Sequence, residues 1–331
     1  MKNDMAPARP AQRDVGALLR HADEQARAAA AVPALIRQKL YPTGAQTLRE
    51  DDLSLTGGFV EAIARQVHSA LCPAALNVDP TSIAQAVILT DAGVMSVLFA
   101  RAIEARLCAN AALAGLATPE LPPRVEEPVG DAQDELAQAA MALIIAQSRF
   151  IGNAQGFTLD VSELPAEQVS TLVRRTLGWL QDHHSADPLE LRSLADALLN
   201  EFDERVGRPN RLMRFCHLFE LPRTGDDWSL ADNGPSLAIA MLARASGLPP
   251  ETLIDMVRDP DLARLAVVLR GCDIMADTAA KLLAGLALLA SHRLDDVATA
   301  ATLSALSADD CARLLTSWRN LLPPVSGAIA P

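Results

Sequence analysis

The sequence predicts an all-α fold, an N-terminal helical bundle followed by stacked helical hairpins. Alanine and leucine together make up about a third of the 331 residues, and both favour helix. Glycine is modest at 17 residues, fewer than β-rich or doubly wound folds spend on turns. No run of β-branched residues alternates with period two between turn signals, the pattern expected of a strand. Half of the chain is apolar and 21% is charged, so a core can form without staples and the length suits about two domains.

Residues 1–12 are polar and proline-containing and read as a disordered tail. A helix is predicted from Asp14 to about Ala31, with Val15, Leu18, Leu19 and Ala22 on one face. Pro33 breaks it, and a short helix follows over Ala34–Leu40. Leu53–Leu71 is amphipathic through Phe59, Ile63 and Val67, with Gly57-Gly58 delaying its start and Cys72-Pro73 ending it. Asp79-Pro80 opens a short helix through Leu89 by the cap-then-proline rule. Asp91 caps a long apolar helix over Ala92–Leu116.

Four prolines crowd residues 118–130, and the expectation is a linker through which no helix runs. The predicted organisation is therefore a bundle over 13–117, a linker over 118–130, a hairpin domain over 131–322 and a disordered tail over 323–331. A helix over Asp131–Phe150 opens the second domain, followed by an irregular stretch from Gly152 to Val161.

The joints of the second half repeat. LPAEQVSTLV (164–173), LPPETLIDMV (248–257), IMADTAAKLL (274–283) and LSADDCARLL (306–315) share an apolar residue, two spacers, an acid, and apolar residues at the ninth and tenth positions. Each reads as a helix start, with the acid in the first turn where the macrodipole favours negative charge. Ile239–Val257 and Leu265–Leu283 also align at a constant offset of 26 residues, superposing Arg244 on Arg270 and Thr252 on Thr278. Residues 236–289, with their alternating Leu/Ala helices, the L-P-x-E joint and the turn Asp259-Pro260-Asp261, resemble a bacterial family of uncharacterised all-helical proteins with HEAT-like hairpins. That resemblance implies stacked hairpins, each burying its apolar face on its neighbour, and implies no chemistry.

Net charge is −12, which opposes binding to nucleic acid or to an anionic membrane surface, and the 3% of aromatics leave little for base stacking. The five cysteines are dispersed, without a C-x-x-C, and read as reduced thiols of a cytoplasmic protein. The N-terminus lacks the apolar region of a signal peptide, and no apolar stretch approaches the length of a membrane span.

No residue is assigned a catalytic, cofactor-binding or metal role. His183-His184 point about 100° apart on a helix and read as a solvated helix end. Asp51-Asp52, Asp226-Asp227, Asp295-Asp296 and Asp309-Asp310 lack a further acid one turn on and read as caps and first-turn acids. Cys216-His217 face apart, which disfavours a nucleophile–base pair. No phosphate-binding, dinucleotide-binding or metalloprotease motif occurs.

One local feature stands out. Residues 118–204 carry 5 basic and 16 acidic groups, whereas residues 205–223 carry 5 and 1. Arg205, Arg208, Arg211 and Arg214 recur every three residues beside Trp228 and other aromatics. One reading is neutralisation of the acidic segment 118–204 just before the island by ion pairs within the chain, with Glu201, Asp203 or Glu204 as partners of Arg211 and Arg214. The other is a docking surface formed by the four arginines and Trp228 for another, acidic protein. The sequence thus favours a non-enzymatic interaction module, regulatory or scaffold. The competing class is an all-helical enzyme or small-ligand sensor with a pocket between the two domains.

Overall fold

The computed structural model describes residues 15–28, 49–116, 122–130, 134–219 and 228–321. Among these residues the fold is all-α, without a strand. The tails over 1–12 and 323–331 and the predicted helix over 34–40 lie outside the described residues.

The helices are α1 (Val15–Ala28), α2 (Glu50–Leu71), α3 (Pro80–Ile83), α4 (Ala92–Leu113), α5 (Pro123–Glu126), α6 (Glu135–Gln155), α7 (Ala166–His184) and α8 (Pro188–Glu201). They continue as α9 (Arg208–Leu218), α10 (Leu230–Ser246), α11 (Pro250–Met256), α12 (Ala263–Gly271), α13 (Ala276–Ala290), α14 (Asp296–Ala305) and α15 (Ala308–Leu321). A π-helical turn, Ala84–Ile88, extends α3, and 3-10 turns occupy Glu127–Gly130, Val161–Glu163 and Glu204–Val206.

Local chemistry explains the helix starts. The Asp79 side chain accepts from the Thr81 amide at 2.9 Å ahead of Pro80, and Asp91 accepts from the Val94 amide at 3.0 Å. Asp134, Asp187 and Asp295 cap α6, α8 and α14 in the same way. All four repeated joints begin helices, α7, α11, α13 and α15, with Glu167, Glu251, Asp277 and Asp309 in their first turns.

Two expectations fail for identifiable reasons. Gly57-Gly58 do not delay α2; the helix runs through both, and the bare Cα of Gly58 lets the chain at Phe157 lie where a Cβ would stand 2.7 Å from it. Residues 118–130 are not free of helix. Pro123 begins α5, because proline at the first helical position lacks an amide that would have no partner there, and Val125 is buried.

The centre of the fold is α4. Its middle is buried on all sides, with Val94, Leu98, Ile103, Leu107 and Ala111 fully enclosed. It packs against α2, α6, α7, α10, α11 and α13, while α1 packs against α12 and α15. The apolar core is continuous from Ala22 to Trp318, so the parts on either side of 118–130 share one core. Consecutive helices do pair, α10 with α11 and α12 with α13, where the 26-residue repeat falls. Of these, α10, α11 and α13 also pack on α4.

Further pairings hold this arrangement. Arg106 of α4 binds Asp52 of α2 at 2.5 Å, and Asn110 donates to the Leu289 carbonyl at the end of α13 at 2.7 Å. The Trp318 indole donates to Asp23 at 3.2 Å, joining α15 to α1.

Close approach at Gly207 is the sharpest test of this packing. A Cβ there would stand 2.3 Å from the Ser162 carbonyl oxygen, whereas one at Gly152, exposed on α6, would meet nothing. Gly207→Ala is expected to lower unfolding free energy by about 1–3 kcal/mol through overpacking. Gly152→Ala should raise it by about 0.5–1 kcal/mol through helix propensity. Urea denaturation of the two variants checks both signs.

Candidate functional site

Three charged residues fall in the middle of α4, Arg101, Glu104 and Arg106. A helix enclosed on every side cannot send such groups to water, so each must find a partner inside. Arg106 has Asp52, and the other two join a network that gathers five segments.

Its hub is Arg208, the first residue of α9, 1% exposed. Its Nη1 and Nη2 bind the two Glu104 oxygens at 2.7 and 2.9 Å, a bidentate pair. Its Nε reaches both Glu163 oxygens at 3.2 and 3.1 Å, and Nη1 also donates to Gln147 Oε1 at 3.2 Å. The guanidinium lies over the Phe150 ring at 3.8 Å from its centroid, a cation–π contact shielded from water. Arg101 binds Glu104 at 3.1 Å and, through Nη2, Glu251 of α11 at 2.6 Å. Glu251 is the acid of the L-P-x-E joint; its carboxylate serves Arg101 in addition to the helix start.

Burial by itself would raise the Glu104 pKa; the charges of Arg208 and Arg101 and the Arg208 hydrogen bonds overcome this and bring it down to about 2. Burial likewise works against the Arg208 cation, and Glu104 and Glu163 more than offset it, raising its pKa. Beside the network Cys108, Ser236 and Gln147 meet at 3.4–3.8 Å. Burial first, and then the Glu104 charge, push the Cys108 thiol up to about 12, so it stands protonated at neutral pH. The adjoining cavity, lined by Cys108, Gln147, Leu212 and Ser236 among others, holds about 10 Å³, the room of a single water. A second, apolar cavity between α10, α11, α12 and α13 is of similar size. Neither, as it stands, admits a small-molecule substrate. Among the described residues no group of three or more His, Cys, Asp or Glu side chains could hold a metal.

The arginine island divides. A three-residue step lags the helical turn by about 60°, so successive members rotate from the core towards water. Arg208 points inward. Arg211, half-buried, donates through Nη1 to the Ala142 carbonyl of α6 at 2.8 Å. Arg214 is exposed and binds Glu135 at 3.1 Å. Arg205, in the preceding 3-10 turn, is exposed and forks onto Asp203 at 2.9 and 3.0 Å. The hydrogen bonds from Arg205 hold the Asp203 carboxyl below its ordinary range.

Arg208 and Trp228 therefore drop out of the predicted docking set. Both are buried, the first by its ion pairs and the second by core packing. The island does pair with the acidic segment before it, Asp203 serving Arg205, Glu163 serving Arg208 and Glu135 serving Arg214, while Glu104 of α4 is a further partner of Arg208 and neither Arg211 nor Arg214 uses Glu201, Asp203 or Glu204.

What remains at the surface is a face built by α6 and α9. Met141 and Ile145 of α6, one turn apart, are 46% and 54% exposed. Arg149, also exposed, lies one turn further along α6; from α9, Arg211 reaches the Ala142 carbonyl and Arg214 pairs with Glu135 at the start of α6. Sequence reasoning found the arginines and missed Met141 and Ile145, because they belong to a helix whose other apolar residues face the core.

No protein-family model matches the chain, and neither a curated protein nor a solved structure does. Fold and site define an all-helical protein with a charged hub in its core and, at the surface of α6, exposed Met141 and Ile145. No single helix among the described residues is long and apolar enough to cross a membrane.

The depressed Glu104 pKa has a consequence for acid stability. A carboxyl whose folded pKa lies below its unfolded value contributes stability that is complete above about pH 4.5 and disappears as pH falls towards 2. Urea midpoints measured across that window should fall steadily in the natural protein. Glu104→Gln should start lower and show a flatter profile; parallel profiles would contradict the assignment.

Proposed function

We propose that the chain is a non-enzymatic protein-docking module, regulatory or scaffold in role, whose α6–α9 face takes an acidic segment of a protein. The observation that carries this reading is the exposure of Met141 and Ile145 on α6, the helix to which α9 binds through Arg211 on the Ala142 carbonyl and Arg214 on Glu135, in a chain of net charge −12. Apolar centres with arginine at the margin are what protein interfaces favour, and opposite charge speeds the encounter. Arg208 supports the face from below. Held by Glu104 and Glu163, it anchors the first turn of α9, so that Arg211 and Arg214, one and two turns later, stand on a fixed helix.

We take the hairpins α10–α11 and α12–α13 to be HEAT-like units that carry this face, of the kind found in the bacterial all-helical family that residues 236–289 resemble. The cytoplasm is the compartment that suits five free cysteines, three of them buried.

The test is Arg211→Glu combined with Arg214→Glu. Arg214 is exposed and contributes little to folding, and losing the Arg211 bond to the Ala142 carbonyl costs about 1 kcal/mol, so the melting temperature should fall by no more than a few degrees. In quantitative mass spectrometry of proteins captured from lysate, acidic partners retained by the natural chain should be lost by the variant. A variant that melts early and keeps the same partners would overturn the proposal.

A further inference from the structure

We infer that α12 and α15 form a helix-docking groove which α1 fills as an exchangeable strap, and that α1 leaves it to admit an amphipathic helix of the same pattern from a partner protein. The groove is separate from the α6–α9 face and does not depend on it.

The groove is built without help from α1. Gly271, at the end of α12, lies so close to α15 that a Cβ there would stand 3.1 Å from the Cys311 carbonyl. From the other side α15 is tied to α10 by Arg319, which donates to the Ser246 carbonyl. Residues 263–269 of α12 are buried, as are Leu315 and Trp318 of α15.

Helix α1 shows what this groove accepts. Val15, Leu18, Leu19 and Ala22 recur at the first, fourth, fifth and eighth positions, the spacing of a helix laid in a groove. The first three are partly buried and Ala22 is fully buried, so the fourth anchor is a small side chain. One position on, Asp23 accepts the Trp318 indole N–H at 3.2 Å. His21 Nε2 stands 3.1 Å from Asp261 Oδ2, in the turn before α12. A partner helix is therefore recognised by three apolar anchors, a small residue, and an acid next to it for the Trp318 donor.

The hold on α1 is light. Of its described side chains only Ala22 is fully buried. A helix of 14 residues is marginal by itself in water, so α1 folds as it docks and unfolds as it leaves. The His21–Asp261 contact is half open to water and contributes little. Residues 29–48 join α1 to the α2 end of the chain, and twenty residues can span up to about 65 Å, so α1 can depart while α2 stays in place. With α1 seated, an outside helix meets a groove that is open only part of the time, and its apparent affinity falls by that fraction. The contact is thus autoinhibitory.

The probe is a fluorescein-labelled peptide of residues 13–30, titrated against the full chain and read by anisotropy. Ala22→Arg in the full chain puts a charged side chain at the fully buried position and unseats α1. This open variant should bind the peptide at least about tenfold more tightly than the natural protein does. A peptide that itself carries Ala22→Arg should not bind. Trp318→Phe added to the open variant should weaken the natural peptide about threefold or more, through loss of the indole donor. Should Ala22→Arg fail to fold, hydrogen exchange of the natural protein decides: the amides of α1 should exchange at least about tenfold faster than those of α12. Equal peptide binding by the natural and open chains, no binding by a folded open variant, or α1 amides as slow as those of α12 would overturn the inference.

Discussion

An arginine in the core cannot discard its charge, so its guanidinium dictates what surrounds it. Arg208 fills that role here. Its planar fork has a fixed set of donor directions, and they are met by Glu104 from α4, Glu163 from the turn before α7 and Gln147 from α6, with Phe150 covering one face. Arg101 shares Glu104 and extends the system to Glu251 on α11. Segments from residue 101 to residue 251 thus converge on one group of charges, and the apolar core is arranged around it.

Such a centre is not the cheapest way to stabilise a helical protein. Desolvating these groups costs several kcal/mol each, and well-packed apolar residues of the same volume often serve as well or better. What the ions supply is register. Helix faces rich in Ala and Leu are nearly interchangeable and can slide past one another with modest loss. A bidentate arginine–carboxylate pair accepts only one alignment. The close approach at Gly207 belongs to the same arrangement, since it brings the Ser162 carbonyl against the start of α9 and so sets Glu163 beside Arg208. The outward rotation of Arg211 and Arg214 follows from that register and from a three-residue spacing on a 3.6-residue helix.

Much of this was legible in the sequence. The all-α class followed from Ala, Leu and the lack of alternation, and the repeated acid-bearing joints marked the starts of α7, α11, α13 and α15. The aspartate caps at Asp79 and Asp91 also stood where the cap rule puts them. What could not be read was long-range pairing. Arg101 and Glu104 sit one turn apart in a helix with no polar face, which signals buried charge, but nothing local links them to Glu163, Arg208 or Glu251. Treating the arginine island as one surface failed because Arg208 opens α9 and therefore points inward. The stretch 118–130 looked like a separator from its prolines, yet Pro123 is a helix start and Val125 is a core residue. Met141 and Ile145 gave no signal, since exposure of two apolar residues on α6 depends on where α9 lies.

The most direct measurement of the central claim is a double-mutant cycle between Glu104→Gln and Arg208→Met, followed by urea denaturation. Each single change strands a charge in the core and should cost about 3–5 kcal/mol. The double variant should cost well under the sum, with a coupling of about 1–3 kcal/mol, because the second change removes a charge the first left without its partner. Additivity within about 0.5 kcal/mol would contradict the account, showing that the fold does not depend on this pair.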